Sequence, residues 1–254
     1  MKRSAVGLAL LLVGTLSNQF GEAHKGITSK FTYNVEVYPI FANRCGRCHV
    51  DGGVGPMSLL KYEDAYPWAE SLRTELLAAS GEETPDFIRA AHRQISAREL
   101  DIILDWATGG TPEGDKAQTP APAVYSNEWS RGNPDLMIPM LQSFELTADT
   151  FERTEEFVLP VEVAQPRSVG QIDVLPGNPS IVRSVTISMR SMAGEVRTLG
   201  TWFPRQTPIP LAVRPAARLE PGSELIARIH YKKTWKFEGK AISDRSTVGL
   251  YYAD

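Results

Sequence analysis

One pentapeptide, Cys45-Gly46-Arg47-Cys48-His49, limits what this 254-residue chain can fold into more than any other feature. Two thiols separated by two residues and followed at once by an imidazole form the pattern to which a haem is attached covalently. Side chains three and four positions apart on a helical turn share a face. Both sulfurs can then reach the two vinyl groups on one edge of a porphyrin, while His49 places a ring nitrogen on the iron. Two other chemistries use paired cysteines. A redox disulfide expects a βαβ setting, which the surrounding sequence lacks, and a zinc site needs two more Cys or His at close spacing. The residues that follow, Val50 to Pro56 (VDGGVGP), make a glycine-rich loop whose backbone can pass close to a flat cofactor. They do not read as a phosphate loop. The expected cofactor is one covalent haem c, with Cys45 and Cys48 as attachment points and His49 as the proximal axial ligand.

Residues 1–23 read as a secretory signal. Lys2 and Arg3 give a positive start, Ala5 to Leu16 carries no charge, and Gly21-Glu22-Ala23 supplies the small residues a signal peptidase reads. The apolar stretch is shorter than the roughly 20 residues of a membrane span, and an uncleaved anchor is the alternative. No cysteine follows the signal, which argues against a lipoprotein. Export, to the periplasm or beyond, is therefore expected. Cleavage after Ala23 removes two cations and one anion, moving the formal net charge from −3 to −4. No charge run points to nucleic acid or an anionic membrane surface. Exported chains often use disulfides, but both cysteines here belong to the motif, so packing and the bound group must hold the fold together.

With 42% hydrophobic residues the chain can build one or two cores. Residues 24–111 read as short helices and loops. Pro39 suits the first turn of a helix running into Cys45 that carries Val37, Ile40 and Phe41 inward. Trp68, Leu72 and Leu76 recur at four-residue spacing, with Pro67 marking a break or a first turn. Ser96 and Glu99 form a capping box ahead of an apolar stripe of Leu100, Ile103, Leu104 and Ala107, which Gly109-Gly110 and Pro112 end. Residues 112–124 (PEGDKAQTPAPAV) are Pro/Ala-rich and read as a linker. From residue 125 the period changes to two. Ile181, Arg183, Val185, Ile187 and Met189 alternate with Ser184, Thr186 and Ser188. Leu225, Ala227, Ile229 and Tyr231 alternate with Glu224, Arg228 and His230, and Val248, Leu250 and Tyr252 alternate near the C-terminus. Turn residues at Pro176–Pro179 and Pro221–Ser223 separate them. The expected fold class is α + β in two domains, a small all-α unit followed by an all-β sandwich.

The stretch RCGRCHVDGGVGPMSLLKYEDAYPW, with LDIILDWATGGTPEG as a closing helix, resembles small bacterial class-I-like cytochrome c domains, in the version found ahead of copper-monooxygenase-like domains. The resemblance covers about residues 30–115. It implies a second axial ligand from the loop before the last helix. His92 stands there, four residues before Ser96. That family often carries a Met-Pro-Pro-Trp element a little earlier; here Ala79-Ser80-Gly81-Glu82-Glu83-Thr84-Pro85 holds no Met, which favours His92. Met57, eight residues after His49, is the rival, and a five-coordinate iron is the third option. A surface role for His92 and a gap-filling role for Met57 are the bland readings. Axial identity would set the potential, lower for His–His than for His–Met.

Residues 129–254 resemble the first catalytic subdomain of copper type II, ascorbate-dependent monooxygenases of the peptidylglycine hydroxylase family. Gly132-Asn133-Pro134-Asp135-Leu136, DVLPGNPSIVRSVTISM, GSELIARIHYKKTW and DRSTVGLYYA carry the likeness, which implies a jelly-roll β-sandwich. The family's His-His pair is matched here by Arg183-Ser184, and its "HY" strand by His230-Tyr231. One of three ligands for the first copper remains, and the chain ends before a subdomain for the second. A type II copper needs about three imidazoles, and a cation at Arg183 repels it. Arg183, on the apolar face of its strand, would need an acidic or carbonyl partner. Copper is therefore not expected, and His230 is only a residual copper-ligand position. His24, the new N-terminus after cleavage, could chelate copper through its amine and ring, but nothing nearby completes a site.

These readings lead to an exported monohaem cytochrome that transfers electrons, with a β-domain acting as a docking or scaffold module. Its partner would be a redox protein or a membrane electron-transfer complex, with no nucleic acid and no small-molecule substrate assigned. Trp202, Trp235 and Phe237 are candidates for a contact surface, although such residues more often sit in a core. The alternatives are a haem-fed copper monooxygenase completed by a partner chain and a haem-based gas sensor. No Ser/His/Asp elbow, carboxylate pair or nucleotide loop suggests another chemistry.

Overall fold

The computed structural model describes residues 28–79, 95–121, 123–211 and 217–253. The signal segment, His24 and His92 lie outside the described residues. The first helical stretch is wound unevenly. A π-helical turn, Tyr33–Val37, leads into α1, Tyr38–Ile40, and a second π turn, Phe41–Cys45, delivers the first cysteine. Pro39 is near the start of α1 but inside the continuous helical run, where it has no N–H to add to the hydrogen-bond ladder. Then come α2 (Tyr62–Ala65), a 3-10 turn at Tyr66–Trp68 that holds Pro67, α3 (Ala69–Ala78) and α4 (Ala97–Thr108). The capping box forms as the sequence predicts: the Glu99 amide donates to Ser96 Oγ (3.2 Å), and the Ser96 amide donates to Glu99 Oε2 (2.7 Å).

These segments surround an aromatic core. Trp106 and Phe41 are fully buried, their rings 6.0 Å apart, and Tyr33 packs on both. The Tyr33 hydroxyl donates to the Leu59 carbonyl at 2.9 Å, so its burial leaves no unpaired donor. The α4 stripe differs from expectation in one respect. Ile103 and Trp106 are its buried pair, and Leu100 and Leu104 are only half-buried. The larger aromatic turns the helix so that its own side chain takes the central place.

The rest of the chain is antiparallel sheet. The strands are β1 (Leu136–Pro139), β2 (Phe144–Leu146), β3 (Glu152–Pro160), β4 (Arg167–Leu175), β5 (Val182–Arg190), β6 (Val196–Trp202), β7 (Ile209–Pro210), β8 (Ala217–Leu219), β9 (Glu224–Lys232), β10 (Ile242–Asp244) and β11 (Thr247–Tyr252). One sheet runs β1-β11-β4-β7 with β8 also on β4; a second runs β3-β9-β5-β6; β10 and β2 form a third. The two larger sheets share a core of Leu146, Ile172, Val185, Ile187, Leu225, Ile229, Tyr231 and Leu250, among others. In β9, Leu225, Ala227, Ile229 and Tyr231 are buried as expected and Arg228 is exposed, while Ile226 on the opposite face is buried too.

The expected fold class, a small all-α domain followed by an all-β sandwich, is corrected by this arrangement. The described chain is mostly β. Among the described residues, helix is limited to the short pieces Tyr33–Cys45, Tyr62–Ala78 and Ala97–Thr108 and single 3-10 turns at Lys116–Gln118 and Trp235–Phe237, against eleven strands in three sheets. Turns and bends around the glycine loop take up residues 46–61, so helix covers only part of the N-terminal segment, and a separate β2-β10 ribbon departs from a two-sheet sandwich.

The Pro/Ala-rich segment read as a linker lies along the first helical stretch. The Asn34 side chain donates to the Asp115 carbonyl (3.0 Å), and the Tyr38 hydroxyl donates to the Ala121 carbonyl while accepting from the Ala123 amide (both 2.8 Å).

Candidate metal centre

The Cys45–His49 turn begins where the second π turn ends. The amides of Cys48 and His49 both donate to the Cys45 carbonyl, at 3.0 and 2.9 Å. This bifurcated closure brings Cys45, Cys48 and His49 to the end of one helical turn. Both cysteines are free and half-buried. Inside the motif, Gly46 leaves room for the Tyr125 hydroxyl, which donates to the Ala42 carbonyl; a Cβ there would displace that ring.

His49 is oriented from the loop that follows. Its Nδ1 lies 3.2 Å from the Met57 carbonyl, a contact in which Nδ1 carries the proton and donates. That tautomer leaves Nε2 with a free lone pair, the form in which imidazole binds a metal. Burial holds the His49 pKa below its ordinary value; the bond to Met57 opposes this, and the Arg183 charge adds to it. A neutral imidazole is the ligating species. The loop can approach the ring because Gly55 has no side chain. A Cβ there would stand 2.8 Å from both His49 Nδ1 and the Cys48 carbonyl, and one on Gly53 would stand 2.5 Å from the same carbonyl. The residues present thus fit a c-type haem: two thiols on one turn, an imidazole with its far nitrogen free, and a backbone cradle that admits no Cβ.

Desolvation pushes the Cys45 thiol up to about 12, and burial also raises Cys48 against the pull of Arg183, Arg205 and Arg47. Both sulfurs therefore stay protonated near neutral pH.

Three side chains from the β-rich part grip this loop by its carbonyls. Arg205 Nη1 donates to Arg47 (2.6 Å), Ser180 Oγ to Gly52 (2.9 Å) and Trp235 Nε1 to Pro56 (3.2 Å). Trp235, a candidate for an external contact surface, is thus partly engaged within the chain. Trp202 is a core residue whose indole donates to Asp173 Oδ1 at 2.9 Å.

Met57 presents its carbonyl to His49, which puts its main chain on the His49 side of the loop, and its half-buried side chain packs against the aromatic core. His230 sits on β9 with Ser184 of β5 as its cross-strand neighbour, so the two sequence positions of the copper resemblance do come together. Only one imidazole is among them, and its Nε2 is 2.8 Å from Glu152 Oε1. Among the described residues, no group of three or more His, Cys, Asp or Glu gathers as a metal site. No helix among them is long and apolar enough to cross a membrane.

Sequence reasoning missed the setting of Arg183. The β5–β9 register slips between Val182 and Ser184, so Arg183 is the extra residue of a bulge. Bulges re-aim side chains, and this one breaks the expected alternation: Val182 and Val185 are buried, Arg183 between them is only half-buried, and its charge acts on Cys48 and His49. Arg205 was also missed. It follows β6 in a left-handed conformation, φ 53°, that its sequence does not advertise. No protein-family profile matches the chain, and no curated protein is significantly similar to it.

Proposed function

We propose that the chain is an exported monohaem c-type cytochrome whose work is electron transfer. The observation that carries this reading is the Cys45–His49 turn with His49 Nδ1 tied to the Met57 carbonyl, because it combines two attachment points with an oriented axial ligand. Cys45 and Cys48 would each form a thioether, and His49 Nε2 would bind the iron. The haem would supply reversible one-electron exchange between Fe(III) and Fe(II). The chain's own residues would hold the ring, keep water from the His49 face and fix the imidazole.

For the second axial position we assign His92 rather than Met57. The Met57 sulfur starts from the His49 side of the loop and is engaged with the core. The β-rich part, residues 125–254, would serve as a docking module for a redox protein or membrane electron-transfer complex, since it already holds the haem loop through Ser180, Arg205 and Trp235.

The test is an absorption spectrum of protein matured with a c-type haem assembly system. Reversible reduction, and a reduced spectrum unchanged by carbon monoxide, is the expected result. A reduced spectrum that shifts with carbon monoxide would show an open sixth position and replace electron transfer by gas binding.

A further inference from the structure

Two arginines of the β-rich part bear on the Cys45–His49 turn. The β5 bulge takes Arg183 out of the β5–β9 pairing, and its charge acts on both Cys48 and His49. Arg205 reaches the same turn from the segment after β6 and donates to the Arg47 carbonyl at 2.6 Å. The Nε atoms of both are buried without a hydrogen-bond partner. Among the described residues, no carboxylate pairs directly with either. The acid that acts on Arg183 is Glu152, and its oxygens are engaged by Lys232 Nζ at 2.7 Å and His230 Nε2 at 2.8 Å. A desolvated cation without a counter-ion is costly to hold. Arg205 also sits at a positive φ, a conformation that the surrounding structure must enforce on a residue other than glycine.

We infer that Arg183 and Arg205 set the reduction potential of the haem from across the contact with the β-rich part, as fixed positive charges that favour the reduced iron. The inference rests on the haem reading above. Reduction adds one electron to the iron and removes one positive charge from it, so repulsion between the iron and a nearby cation falls. In a poorly solvated setting that difference is screened much less than at the surface. Arg suits the role because its charge does not titrate. It follows that the β-rich part does more than dock a partner, since it also completes the electrostatic environment of the cofactor.

The experiment is a spectroelectrochemical titration of the full chain, matured with haem, as wild type and as Arg183→Gln, Arg205→Gln and Arg183→Lys. With the charge removed, the ratio of Fe(III) to Fe(II) at a fixed ambient potential is expected to rise by roughly tenfold, equal to about 59 mV for a one-electron couple. Arg183→Lys keeps the charge and should stay near wild type, which separates charge from packing. Should Arg183→Gln not fold, Arg205→Gln carries the same test from a different segment. Glutamine variants that load one haem and keep the wild-type potential would overturn the inference and leave the haem reading intact. A chain that loads no haem in any form would overturn both.

Discussion

His49 depends on one neighbour for its tautomer and on one glycine for its access to that neighbour. Gly55→Ala would place a methyl group 2.8 Å from His49 Nδ1 and the Cys48 carbonyl, so the loop must move. We expect most chains of this variant to mature without haem while the far-ultraviolet circular dichroism is unchanged, read as haem per chain. The capping box is a second residue-scale device. Ser96→Ala removes the acceptor for the Glu99 amide and should cost about 1 kcal/mol in denaturant unfolding. Glu99 titrates below its ordinary 4.5, first because the Ser96 backbone amide bonds its carboxylate. A depressed carboxyl pKa stabilises the fold above the unfolded value of 4.5 and loses that contribution as pH falls through the folded value. Glu99→Gln should therefore flatten part of the acid limb of a stability-versus-pH curve. At this scale the sequence was most readable. Cys45, Cys48, His49 and the Ser96–Glu99 box are local patterns whose chemistry depends on spacing alone. Arg183 and Arg205 were not legible, because a bulge and a positive φ depend on what the neighbouring strand and loop do.

The elements divide between two kinds of packing. Trp106 closes the aromatic cluster with Tyr33 and Phe41, and Trp106→Ala should cost about 3–5 kcal/mol, measured by chemical denaturation. In the sheets, β9 is the central strand between β3 and β5. Its Tyr231 stacks on Phe144 (4.9 Å) and donates to Asp244 Oδ2 (3.0 Å). Asp244 also accepts from the Asn178 amide and Ser246 Oγ, so Tyr231→Phe removes one of three donors and should cost about 1–3 kcal/mol. The period-two alternation of β9 could be read in advance because one face of each residue pair meets the core. The number of sheets could not, because pairing such as β1 with β11 joins segments more than a hundred residues apart. The share of helix in the N-terminal segment is not legible for a related reason: the runs stop at Gly46 and Gly109, where Tyr125 and Ser29 from distant parts of the chain pack against the backbone.

At the scale of the whole molecule, three hydrogen bonds to the carbonyls of Arg47, Gly52 and Pro56 hold the Cys45–Pro56 segment against the β-rich part. The Pro/Ala-rich segment lies along the first helical stretch through Asn34 and Tyr38. One fixed arrangement of loop and sheet is the consequence. Ser180→Ala combined with Trp235→Ala should speed amide exchange in residues 50–57 and leave β9 exchange as in wild type. None of this was legible in the sequence, since each contact is between one isolated side chain and a backbone group far along the chain. The most direct test of the haem assignment is the metal content of the full chain, matured with a c-type haem assembly system and offered copper, determined by elemental mass spectrometry beside the intact mass. One iron per chain, no copper and a mass increase of one haem that disappears in Cys45→Ala/Cys48→Ala is the predicted result; stoichiometric copper, or a chain with no covalent haem, would contradict it.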